Sequence, residues 1–146
     1  MMNSDSHPFV DDALGGTLAR DHQSRAIFFS GQSICTYVAY MDHHFNARVT
    51  CYDHDSEEWD FPTRIDTCIR EWHPDGHNVP NLFVTQDGFI HVFYGAHGHS
   101  FKYARSREPE NIDAWETGMH MGKKGTYPYF AQTSEEEMLV FYRYSP

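Results

Sequence analysis

A chain of 146 residues is long enough for one domain with a real core, and its aromatic content of 16% falls in short β-type runs. The formal charge of -10 argues against a basic nucleic-acid footprint, and no apolar run reaches membrane-spanning length. Cys35, Cys51 and Cys68 include no close-spaced pair and read as buried thiols rather than zinc ligands.

In chain order, residues 1–24 are polar and Gly-rich and read as an irregular lead-in, with neither the basic nor the apolar stretch of a signal peptide. Strands are predicted at 26–30, 34–41 and 46–53, joined by Gly31-Gln32 and by Asp42-His43-His44. Glu57 to Phe61 closes this group around Trp59, and 64–76 reads as a polar connection. The next strands are 79–84, 89–94 and 101–106, with hairpin turns at Gln86-Asp87-Gly88 and across Gly95 to His99. Residues 108–116 are the single weak helical candidate, and 118–125 reads as a further connection. A last strand pair is predicted at 127–132 and 138–144.

An internal repeat organises these runs. Val38-Ala39-Tyr40, Val92-Phe93-Tyr94 and Val140-Phe141-Tyr142 are the same strand end, and their tyrosines lie 54 and 48 residues apart. Pro80 and Pro128 each precede the matching tyrosine by 14 residues, and Trp59 and Trp115 follow theirs by 19 and 21. A period near fifty built of four short strands is a β-propeller blade. The expected fold is therefore all-β, a partial propeller of about two and a half four-stranded antiparallel blades. The blades are drawn at 25–75 and 76–120, with 121–146 as the first half of another. Propellers close with about four to eight blades, so the chain reads as an excerpt whose remaining blades lie elsewhere. Alone, its open side is expected to associate or aggregate.

Blade topology assigns the polar residues to faces. The connection into the first strand and the turn between the second and third share one face. His77, His97, Tyr127 and Arg143 fall there. His54 and Asp87 fall on the opposite face, with His91 near it. The plain reading of His43, His44 and His99 is solvated turn, and that of Lys123-Lys124 is solvated loop. Tyr40, Tyr94 and Tyr142 read as blade packing. His97-Gly98-His99 would supply at most half of a metal site, and no third ligand is specified.

The Gly-His-Asn at 76–78, the Asp-Gly-Phe-Ile-His-Val-Phe-Tyr-Gly-Ala-His run at 87–97 and the Phe-Lys-Tyr-Ala-Arg-Ser at 101–106 carry a resemblance. With Thr-Tyr-Pro-Tyr-Phe at 126–130 and Val-Phe-Tyr-Arg at 140–143, the chain resembles the BNR-repeat propellers that include ulvan lyases. The resemblance implies a seven-bladed propeller that cleaves a sulfated, uronate-containing algal polysaccharide by β-elimination, outside the cell or in the periplasm. It places the family's paired active-site histidines on His77 and His97, its catalytic tyrosine on Tyr127 and its carboxylate-binding arginine on Arg143.

The chemistry suits those residue types. Elimination across a uronate removes the weakly acidic proton beside the carboxylate. A guanidinium pairs with the carboxylate and stabilises the charge that develops. A neutral histidine or an ionised tyrosine takes the proton, and a tyrosine can protonate the leaving oxygen. Asn78, His43, Lys123 and Lys124 are the candidate substrate-binding residues. No paired carboxylates appear on this face, which weighs against a two-carboxylate glycosidase. A sialidase would want an arginine triad, and one arginine is visible there. The expected partner is an anionic polysaccharide, with no nucleic acid or membrane; no cofactor is required, and a structural divalent metal is left open. The rival class is a non-catalytic propeller that binds glycan or protein at the same rim, which would need no acid and base at fixed distance.

Overall fold

The computed structural model describes residues 10–14, 26–68, 76–134, 137–144 and 146, which form two antiparallel sheets. The first holds β1 (Ala26–Ser30), β2 (Ile34–Met41) and β3 (Asn46–Asp53) as a meander. Two short strands share the far edge of β3. Trp59 of β4 (Glu58–Trp59) pairs with Tyr52, and Thr67 of β5 (Thr63–Thr67) pairs with Asn46. Pro62 sits at the break, where the missing N–H cannot extend a ladder. The outer strand thus runs on to Thr67, into what the sequence reads as connection; residues 69–75 lie outside the described part.

The second sheet has the order β10-β9-β8-β7-β6. Its strands are β6 (Asn81–Val84), β7 (Ile90–Tyr94), β8 (His97–Ser106), β9 (Trp115–Gln132) and β10 (Met138–Tyr144). Three expectations are corrected here. The helical candidate at 108–116 is a loop that enters β9 at Trp115, and Trp115 Nε1 donates to the Ile112 carbonyl at 2.8 Å. The turn before β8 is Gly95-Ala96 alone, so His97 already opens a strand. The connection predicted at 118–125 is strand, the middle of an 18-residue β9. Its Gly118, Gly122 and Lys124 have positive φ, and pairs with β8 at Met119, His120, Met121 and Gly125, with a bulge between the last two, hold the stretch in the sheet.

Alternation along the strands builds three layers. Tyr37, Ala39, Met41, Val49 and Cys51 of the first sheet pack against Leu82, Val84, Ile90, Val92, Tyr94 and Ala104 of the second. All three cysteines are buried and free, in keeping with the thiol reading. On the other face of β7 and β8, Phe93, Phe101 and Tyr103 meet Phe130 and Val140. Phe93 and Phe130 stack with centroids 4.3 Å apart and planes 3° from parallel. The second half of β9, with β10, therefore folds back over β6–β8 as a third layer. Glu110 ties the first two layers at their far rim. Its carboxylate accepts the N–H groups of Gln32 (2.9 Å) and Ser33 (3.0 Å), and its own N–H donates to the Gly88 carbonyl at 2.8 Å. Of the lead-in, the described residues 10–14 dock on the β2–β3 turn, through an Ala13–Asp42 bridge and a Leu14 N–H bond to the Met41 carbonyl. The rest of that segment lies outside the described residues.

Candidate active site

The seam between β6–β8 and the third layer gathers four of the residues singled out from sequence. His77 and His97 stack with ring centroids 4.3 Å apart and planes 19° from parallel. The Tyr127 ring lies 5.5 Å from that of His77, and the Arg143 guanidinium carbon sits 4.9 Å from the centre of the Tyr127 ring. His77 and Tyr127 are half-buried, whereas His97 and Arg143 are exposed, so the cluster opens to solvent. Among the described residues no carboxylate lies within ion-pair distance of Arg143.

Local structure explains the meeting. His77 occupies a single 3₁₀ turn, Gly76–Asn78, and the Asn78 carbonyl accepts the Gly95 N–H at 3.0 Å. Gly95 has φ +68°, and a Cβ there would come within 2.6 Å of the Cys68 carbonyl oxygen, so only glycine makes this turn into β8. His97 then pairs across the sheet with Thr126, and Thr126 pairs on its other side with Arg143. Three adjacent strands thus present His97, Thr126 and Arg143 as one row. Thr126 is fully buried and its Oγ1 accepts the Gly98 N–H at 3.1 Å.

Tyr127 leaves this row by a β-bulge. Between the Phe141–Tyr129 and Arg143–Thr126 pairs, β9 takes three steps while β10 takes two. The extra residue is absorbed with Tyr127 at φ +57°, a conformation that costs a bulky side chain on the order of 1–3 kcal/mol. The bulge turns Tyr127 toward His77. Immediately after it, the Pro128 carbonyl accepts a hydrogen bond from the Asn81 side chain, which is 1% exposed. Sequence reasoning passed over both Asn81 and Thr126. An asparagine inside the apolar run Val79 to Val84 was the available signal, because asparagine is depleted in strands.

The remaining candidates stand differently. Asn78 is buried beside the cluster. His43 is exposed in the β2–β3 turn, which is built around Asp42. Burial alone would raise the Asp42 carboxyl, but hydrogen bonds from Arg48 (2.6 Å) and Asn46 hold it below its usual range. Lys123 and Lys124 are exposed on β9 ahead of Tyr127. On the far rim, His54 bonds Thr36 Oγ1 at 2.8 Å and packs on Phe28 and Tyr52. His91 is buried, with Nδ1 2.6 Å from the Tyr103 hydroxyl; burial, then the nearby Arg105 charge, pushes its pKa down to about 4. Among the described residues no group of three His, Cys, Asp or Glu side chains is placed to hold a metal ion.

The same residues fall within a recognised family. A family model described as BNR repeat-containing family member matches residues 35–145. The chain belongs to that family. Within and beyond it, 93% of the chain aligns with the "Ulvan lyase" of Alteromonas sp. (strain LOR) at 28% identity, covering 32% of that protein. The "Ulvan lyase" of Nonlabens ulvanivorans matches at 26% identity over 93% of the chain and 33% of its own length. Among solved structures, one titled "Structure of a new family of Polysaccharide lyase PL25-Ulvanlyase bound to -[GlcA(1-4)Rha3S]-" superposes with a TM-score of 0.81. Its identity is 25%, over 93% of this chain and 35% of that one. The chain of this BNR family member spans about a third of the length of the relatives it matches.

Proposed function

We propose that the protein carrying this chain is a polysaccharide lyase that cleaves a uronate-containing, sulfated glycan of the ulvan type by β-elimination. The observation that carries the reading is the cluster of two imidazoles, one phenol and one guanidinium at a single solvent-open seam. The likeness to proteins named ulvan lyases supports it. Arg143 pairs with the uronate carboxylate and stabilises the charge that spreads into it as the adjacent proton leaves. His77, His97 and Tyr127 surround the reacting carbons, where one of them removes that proton and Tyr127 delivers a proton to the departing glycosidic oxygen. The cleavage leaves a double bond in the new non-reducing sugar and a free hydroxyl on the other fragment, and needs no cofactor.

In this reading the layers are two propeller blades, 25–75 and 76–120, and the opening half of a further blade, 121–146, in a ring that other parts of the protein complete. The polymer is too large to enter a cell intact, so the protein works outside it or in the periplasm. The test is incubation of the intact protein with ulvan and with unsulfated polyuronates, following the ultraviolet absorbance of the unsaturated product. Product from ulvan supports the reading. Tight glycan binding without product would assign the chain to a non-catalytic binder.

A further inference from the structure

We infer that Asn81 is a positioning residue for Tyr127, a role that rests on the reading of Tyr127 as the proton carrier. Asn81 begins β6, a strand whose Leu82 and Val84 face the first sheet. Asn81 and Phe83 face the other way, toward β9, and Phe83 packs on Phe130 with centroids 5.5 Å apart. The position is 1% exposed and would suit an apolar side chain. It holds an amide instead, whose Oδ1 is buried without a hydrogen-bond partner among the described residues. A buried amide left half-satisfied lowers stability, so packing does not account for asparagine here.

What the amide does is hold the bulge. Its Nδ2 donates to the Pro128 carbonyl, one residue beyond Tyr127. Proline has no N–H, so the carbonyl is the one strong hydrogen-bonding group by which its backbone can be fixed. On the other flank Thr126 is fixed by its ladder partners His97 and Arg143 and by the Gly98 N–H. Tyr127 is thereby pinned from both sides in a conformation it would not adopt unaided, φ +57°. The pins also close a circuit. Asn78 bonds Gly95, Gly98 bonds Thr126, and Asn81 bonds Pro128, so the segments bearing His77, His97 and Tyr127 are tied pairwise. Without the Asn81 bond the bulge is free to relax toward ordinary extended backbone, which would swing the phenol away from His77.

Two variants test this in the intact protein, with wild type assayed alongside on ulvan. Asn81→Leu keeps the volume and removes the donor; kcat is expected to fall ~10–100-fold while KM stays within about twofold, the signature of lost alignment rather than lost binding. Asn81→Asp donates to Pro128 only as the neutral acid, so its kcat is expected to fall with rising pH relative to wild type while far-UV circular dichroism stays constant. A merely structural role would not give that pH-dependent rescue. A folded Asn81→Leu protein with kcat within about twofold of wild type overturns the inference while leaving the lyase reading intact. If Asn81→Leu does not fold, an Asn81→Asp pH profile parallel to wild type overturns it equally. No unsaturated product from wild type itself overturns the lyase reading, and this inference with it.

Discussion

His91, at the second position of β7, is 7% exposed, and burial and the Arg105 charge lower its pKa from 6.5 to about 4. A histidine that resists protonation when folded is protonated first in the unfolded chain, so acid favours unfolding across the interval between the two values. Below pH 6.5 the folded state is expected to lose stability steadily, and by pH 4 the loss amounts to about 3 kcal/mol, from 1.36 kcal/mol per pH unit. The carboxylates act lower on the scale. Asp42 and Asp66 are each raised by burial but held below their usual range by hydrogen bonds, so what they contribute is lost only at more acid pH. The two effects are therefore separable. His91→Gln keeps a polar partner for Tyr103 and cannot titrate, and urea midpoints measured from pH 7.5 to 4 should fall for wild type and stay flat for the variant until the carboxylates protonate. Parallel curves for the two proteins between pH 6.5 and 4 would refute the assignment of a buried, neutral His91.

Three further outcomes are expected. On the proposed mechanism, Tyr127→Phe should reduce formation of unsaturated product at least ~100-fold and leave glycan binding by calorimetry nearly unchanged, since the ring remains and the proposed proton carrier is gone. Arg143→Ala should raise KM and lower kcat together, for a combined loss of about 10²–10³ in kcat/KM, because in the proposed mechanism the same guanidinium serves ground state and transition state. Gly95→Ala should destabilise the protein by about 2 kcal/mol in denaturant titration, through its φ of +68° and the 2.6 Å approach to the Cys68 carbonyl.

The recurrence of Val-x-Tyr made the all-β class legible, because a strand end that repeats near every fifty residues points to repeated strand units. The strands at 26–30, 34–41 and 46–53 lie where their β-branched and aromatic content puts them. Residues 118–125 did not read as strand because Gly118, Gly122, Lys123 and Lys124 have little intrinsic strand preference, and pairing with β8 overrides it. The approach of His77, His97, Tyr127 and Arg143 followed from which connections share a rim. Tyr127's left-handed backbone was not legible, since Thr-Tyr-Pro-Tyr reads as unbroken strand. Nor was Asn81's hold on Pro128, which depends on two strands 47 residues apart lying face to face.

Most enzymes keep their chemistry on loops, whose length can drift without disturbing the scaffold. Here Tyr127 rides on β9, a strand zipped to β8 along its first part and to β10 along its last, with Gly125 and Thr126 gripped from both edges. One residue inserted between Trp115 and Gly125 would have to be expelled as a new bulge or would turn every later side chain to the opposite face, Tyr127 among them. Among the described residues, length can vary without disturbing this pairing in the loop at 107–114. Change at this seam therefore comes more readily by exchanging side chains than by growing or shedding backbone.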